Sequence, residues 1–136
     1  MRLDTNILRR YYVDDATDEH TAAQRSAART LIESGEPLAV CRTVLLELEW
    51  VLRGYYKLTA DQVQSVLQHL LALPHVVFDD RDVLVRAMQN FAAGLDFADA
   101  LHHASYAHCQ RVASFDDRGF ARRSDRLKLQ PRVVVP

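Results

Sequence analysis

Apolar positions along the chain fall into short compact runs that alternate with longer stretches of helical spacing. Residues 1–4 read as a short first strand running into the polar turn Asp4-Thr5-Asn6. From about residue 17 to 34, Ala22, Ala23, Ala27, Leu31 and Ile32 recur on one side of a helix that Gly35 and Pro37 stop. Leu38-Ala39-Val40-Cys41 reads as a buried strand. Thr43 then caps a helix whose apolar side is Val44, Leu48, Val51, Leu52 and Tyr55, with Gly54 close to its end. Thr59-Ala60-Asp61-Gln62 has the spacing of a capping box, ahead of Val63, Val66, Leu67, Leu70 and Leu71, and Pro74 closes that helix. Val76-Val77-Phe78 is the third strand. Asp79 or Asp80 caps a helix through Val83, Leu84, Ala87, Met88 and Phe91, ended by Gly94. Asp96 opens another, from Phe97 to about His108. Val112–Phe115 and Val133–Val135 are the fourth and fifth strands, with a short helix around Gly119–Arg123 between them.

Strands separated by helices predict an α/β fold around a parallel sheet. The length of 136 residues is that of one domain, and nothing in the chain resembles a linker or an internal repeat. The apolar share of 49% and the charged share of 26% are ordinary for a folded soluble protein and exclude pervasive disorder. No apolar run is long enough for a membrane span, and no apolar signal segment follows Met1. Cys41 and Cys109 stand in neither CxxC nor zinc spacing and read as packing residues of a cytoplasmic protein.

The formal net charge of -1 does not advertise a nucleic-acid binder, but its distribution is uneven. From Arg111 to Arg132 seven basic residues face three acidic ones, so this segment carries +4 and the remainder -5. Such asymmetry suits contact with a polyanion, and equally a solvated surface of paired arginines.

Carboxylates stand where the elements do not ask for them. Asp4 ends the first strand, at the edge where open parallel sheets bind ligands; an Asx turn accounts for it too. Glu47 has Thr43, Val44, Trp50 and Val51 at three and four residues' distance and no local cation. It reads as facing an apolar stripe, whereas Glu49, with Arg53 four residues on, reads as an ordinary surface pair. Asp96 and Asp99 open a helix and can cap it or face a cation. Asp116 and Asp117 follow the fourth strand with the same two readings. Several carboxylates converging on one sheet edge repel one another unless a cation sits among them, and hard oxygen donors suit Mg²⁺ or Mn²⁺.

Four motifs in order tie these acids together. Leu3-Asp4-Thr5-Asn6-Ile7-Leu8 resembles the opening motif of PIN-domain nucleases. Val44-Leu45-Leu46-Glu47-Leu48 resembles that family's second acidic motif, Asp96-Phe97-Ala98-Asp99-Ala100-Leu101 the third, and Ser114-Phe115-Asp116-Asp117-Arg118-Gly119-Phe120 the fourth. The chain length and the context Glu47-Leu48-Glu49-Trp50-Val51-Leu52 look like the VapC-type toxins of bacterial and archaeal toxin–antitoxin pairs.

The resemblance implies a three-layer α/β/α fold with a five-stranded parallel sheet in the order 3-2-1-4-5. It implies a cytoplasmic, Mg²⁺-dependent endoribonuclease, with Mn²⁺ as a substitute, that forms a homodimer. Its partner would be a small VapB-like antitoxin that blocks the acidic groove. Carried over by motif, Asp4, Glu47, Asp99 and Asp116 are the catalytic acids, with Asp4 and Asp99 the direct metal ligands. Asp116 acts through water, although the doublet leaves Asp117 as the alternative, and Asp96 is a supporting acid or the helix cap. Thr5 and Asn6 orient Asp4 or hold the scissile phosphate. Arg9, Arg10, Arg118, Arg122 and Arg123 are candidates for the RNA backbone. The alternatives are a PIN-type RNA-processing nuclease without an antitoxin and a non-catalytic RNA- or protein-binding PIN domain. His102, His103 and His108 have no zinc-protease spacing and read as surface or packed residues. Trp50, Tyr55 and Tyr56 read as core or dimer packing.

Overall fold

The computed structural model covers residues 1–136, which divide into two compact units, Met1–Asp79 and Asp80–Pro136. In the first unit, helix α1 (Thr5–Tyr12) is followed by α2 (Glu19–Ile32), strand β1 (Leu38–Val40), α3 (Arg42–Trp50), α4 (Ala60–Ala72) and strand β2 (Val76–Phe78). The second unit holds α5 (Arg81–Ala92), α6 (Phe97–Ser105), strand β3 (Arg111–Ala113), α7 (Arg122–Arg126) and strand β4 (Arg132–Val134).

Side-chain caps account for three of the seven helix starts. Asp18 and Thr21 form a reciprocal capping box at α2, and Thr59 and Gln62 form the expected one at α4. Asp80 caps α5 by accepting from the Val83 amide. That helix stops before Gly94, whose φ of +108° lies in the region glycine alone adopts freely.

β1 and β2 pair in parallel, with Leu38 opposite Val76 and Val40 opposite Phe78. Those four side chains are buried, and the other face presents Ala39 and the exposed Val77. The expected first strand is reduced to one parallel bridge, Arg2 to Ala39, held by bonds from Leu3 N to Ala39 O (2.9 Å) and from Ala39 N to Met1 O (2.8 Å). Helix α1 takes over at Thr5 and leaves no extended backbone for more. In the second unit β3 and β4 pair in parallel, Val112 opposite Val133. The structure therefore has two two-stranded parallel sheets rather than one five-stranded sheet. The bridge and β1–β2 retain the local order 3-2-1, and β3–β4 the pair 4-5. The architecture is α/β.

Two helical registers differ from the sequence expectation. On α2 the buried residues are Ala28 and Ile32, while Ala22, Ala23 and Ala27 are exposed. On α3, which starts at Arg42 after Cys41 rather than at Thr43, the buried stripe is Leu45, Leu48 and Glu49, continued by Leu52. Glu49, expected on the surface, is buried, and Glu47, expected against the core, is exposed. The run Val44-Leu45-Leu46 is apolar at three consecutive positions, so spacing alone does not decide which one faces inward. The expected Glu49–Arg53 pair does form, at 2.7 Å, with the carboxylate inside and the guanidinium half in water. α3 continues into a π-turn over Val51–Tyr55, closed by Tyr56 N to Val51 O (3.1 Å). The wider turn shifts the phase and leaves Tyr55 exposed, as Trp50 is, so neither belongs to the core. Cys41 and Cys109 are also exposed rather than packed.

These positions separate the two glutamates by experiment. Arg53→Ala strands a buried carboxylate and is expected to cost about 1.5–3 kcal/mol. Glu47→Ala is expected to change stability by less than about 0.5 kcal/mol. Urea unfolding of both variants checks this.

Candidate functional site

The candidate acids of the first unit sit on two helices that pack against each other, α1 and α3. Asp4 occupies the position before α1, in extended conformation (φ -96°, ψ 164°), and its side chain makes no capping bond. It is exposed, so the carboxylate is left free. Thr5 follows it in a buried position, and its Oγ1 has no hydrogen-bond partner. Asn6 is exposed. Glu47 is exposed on α3.

The second unit gathers Asp96, Asp99 and Asp116. Burial pushes the Asp99 carboxyl above its ordinary range, and the charges of Asp96 and then Asp116 push it further. His102 and Arg123 oppose this more weakly. Asp96 stands at the cap position of α6, but its side chain makes no capping bond, so the bland reading of this residue is not realised. Asp116 is fixed from one side by the Gly119 amide at 2.7 Å. A Cβ at Gly119 would lie 2.6 Å from one Asp116 carboxylate oxygen, so any larger residue there displaces that carboxylate. Spacing shows this constraint only weakly, as an aspartate followed three residues later by glycine. The second member of the doublet is engaged elsewhere: Asp117 pairs with Arg122 at 2.9 Å.

The candidate arginines differ among themselves. Arg10 is 17% exposed and tied to Asp15 (3.3 Å) and Gln24 (3.0 Å). Arg122 is occupied by Asp117, and Arg123 donates to the Gly94 carbonyl (3.3 Å). Arg118 is exposed. His103 is buried, with Nε2 2.7 Å from the Pro131 carbonyl and its ring edge-on to Phe120, so it is a packing residue. His102 and His108 lie on the surface.

The whole donor set is carboxylate oxygen, which fits a hard divalent cation rather than zinc or copper. In the second unit the mutual repulsion around Asp99 is the kind of strain such an ion relieves. No three His, Cys, Asp or Glu side chains are drawn into a single metal-holding group.

The family model described as PIN domain matches residues 1–125. The chain belongs to the PIN domain family. PIN domains are typically metal-dependent nucleases that act on RNA, and all four acidic motifs of the sequence lie within the matched range. No curated protein matches this PIN domain. No helix is long and apolar enough to cross a membrane.

The raised Asp99 carboxyl has a measurable sign. Ionised Asp99 is penalised in the folded state, so in EDTA at neutral pH Asp99→Asn is expected to melt above wild type. The penalty is complete above the folded-state pKa and absent below the unfolded-state value near 4. The difference in Tm should therefore shrink as pH falls through that window. Equal melting temperatures at every pH would show that Asp99 is not strained.

Proposed function

We propose that this PIN domain is a Mg²⁺-dependent endoribonuclease, with Mn²⁺ as a substitute, and the toxin of a toxin–antitoxin pair. The observation that carries the reading is the trio of unneutralised carboxylates, Asp96, Asp99 and Asp116, in a chain of this family. Elsewhere in the chain Asp18 and Asp80 bond to helix amides, and Asp15, Asp117 and Glu49 to cations. Asp96, Asp99 and Asp116 have no ion pair, and of the three only Asp116 takes an amide, that of Gly119.

In this reading the entire chain works as one PIN domain, and Asp4, Glu47, Asp99 and Asp116 are its catalytic acids. Asp4 and Asp99 would hold the divalent ion. When bound, such an ion supplies a water of lowered pKa and offsets the charge of an in-line displacement at phosphorus. Glu47, exposed and unburdened by a cation, accepts the proton of the attacking water. Asp116, clamped by Gly119, orients that water through its second oxygen. Asp96 adds to the repulsion around Asp99 that a cation would relieve. Thr5, with its unpartnered hydroxyl, and Asn6 position Asp4 or the phosphate. Water adds to phosphorus, the 3′-oxygen leaves with a proton, and the products carry a 5′-phosphate and a 3′-hydroxyl. Of the doublet, Asp116 is the fourth acid and Asp117 the partner of Arg122. Arg118 and its basic neighbours hold the RNA backbone. A homodimer and a VapB-like antitoxin that covers the acids complete the proposal.

The test is cleavage of a mixed RNA pool by purified protein. Cuts should require Mg²⁺ or Mn²⁺, leave 5′-phosphate ends, and fall at least about a hundredfold in Asp99→Asn. Expression of wild type, but not of the variant, should arrest growth of the host. Metal-dependent cleavage with no growth arrest would point instead to RNA processing. A folded wild type that binds RNA without cutting it would leave a binding module.

A further inference from the structure

Between α1 and α2 the first unit contains a cleft of about 420 Å³, lined by two arginines and polar side chains together with Ile7 and Ala27. Asn6, Arg9 and Arg10 come from α1, and His20 and Gln24 from α2. No carboxylate lines it. Asn6, Arg9 and Arg10 are three and four residues apart, so they share one face of α1.

The two arginines are in different states. Arg10 is pinned, with Nε donating to Gln24 Oε1 at 3.0 Å and Nη1 to Asp15 Oδ1 at 3.3 Å. Gln24 in turn places its Nε2 3.2 Å from His20 Nε2. This chain of contacts sets the far wall and fixes one cation in place. Arg9 has no ion pair, and its Nε is buried without a hydrogen-bond partner. Arg9 lines the cleft, and a guanidinium with no ion pair can take a ligand with acceptor oxygens. Planar guanidinium donors match the oxygens of a phosphate.

The cleft's position says which phosphate. Asn6 is two residues beyond Asp4, and Arg9 lies about 7–8 Å further along α1 than that acid. With Asp4 at the scissile bond, as the reading above has it, that offset assigns a phosphate held by Arg9 to a neighbouring nucleotide.

We propose that the α1–α2 cleft is a subsite for a backbone phosphate of the RNA strand flanking the scissile bond, with Arg9 as its principal donor and Arg10, Gln24 and Asn6 shaping it. This rests on the ribonuclease reading above. Because the contact is to backbone, it contributes affinity without base preference.

The experiment measures binding of fluorescent single-stranded RNA of two unrelated sequences to Asp99→Asn protein, across a salt series. Arg9→Gln on that background should weaken both RNAs roughly tenfold and reduce the salt slope by about 0.7. Arg29→Gln, at an exposed position of α2 outside the cleft, should change neither. Ala27, exposed on the α2 wall of the cleft, gives a pair that removes no contact. Ala27→Glu should weaken binding and Ala27→Lys should tighten it. Unchanged affinity and slope in Arg9→Gln and both Ala27 variants, with the parent still binding RNA, would overturn the subsite and leave the ribonuclease reading intact. Stabilisation by inorganic phosphate that Arg9→Gln abolishes, without any effect on RNA, would assign the cleft to a free anion and likewise overturn it. A parent that binds no RNA at all would overturn both readings.

Discussion

Asp99 is held partly out of water, with the charges of Asp96 and Asp116 acting on it and no cation paired to it. Each of these conditions raises the cost of its ionised form, and folding tolerates all of them together. The surrounding structure is arranged to make that possible. α6 places Asp99 in its first turn, where the helix dipole favours negative charge. The Gly119 amide takes one oxygen of Asp116, and Arg122 draws off the neighbouring Asp117. The start of α6 is packed against α5 through the buried, edge-on Phe91–Phe97 pair at 5.5 Å.

The same contrast runs through the helix caps. Asp18, Thr59 and Asp80 sit before helices and bond to their amides. Asp4 and Asp96 sit in equivalent positions and do not. A cap position gives an acid a fixed backbone and a favourable dipole at once. Where the capping bond is also made, the carboxylate is consumed by the helix. Where it is not, the acid keeps both oxygens for something else. This distinction cannot be read from residue type, because Asp is a preferred cap in either case.

Much of the local structure was legible in the chain. The Thr59–Gln62 box, the Asp80 cap, the Gly94 stop and four of the strand positions follow from short-range rules that depend on a few neighbours. What was not legible depended on phase. α1 was hidden because Asp4-Thr5-Asn6 has the composition of a turn, and the polar pair Arg9-Arg10 interrupts its apolar pattern. The inward face of α3 was off by one position because three apolar residues stand in a row, and this exchanged the environments of Glu47 and Glu49. The π-turn after Trp50 changes the helical phase, so period counting fails for Tyr55. For the site, the motifs point to candidate acids, and the partners of the Asp116–Asp117 doublet, the Gly119 amide and Arg122, are not readable from spacing. The orphaned Arg9 Nε and its cleft have no sequence signature, since they depend on how α2 packs against α1.

The junction at Asp4 has one more property. The Ile7 and Leu8 amides both reach the Asp4 carbonyl, at 3.2 and 3.5 Å, long bonds for the opening turn of a helix. With no side-chain cap to reinforce them, the first turn of α1 is loosely fastened, while Leu3 just before it is tied to Ala39 at 2.9 Å. A small rotation about the Asp4 backbone therefore disturbs only weak bonds and leaves the strand bridge untouched. Local opening costs least where bonds are few and poorly formed, so this turn opens more easily than the bridge beside it. The Asp4 carboxylate thus stands at a joint between a firmly tied strand bridge and a loosely tied helix start.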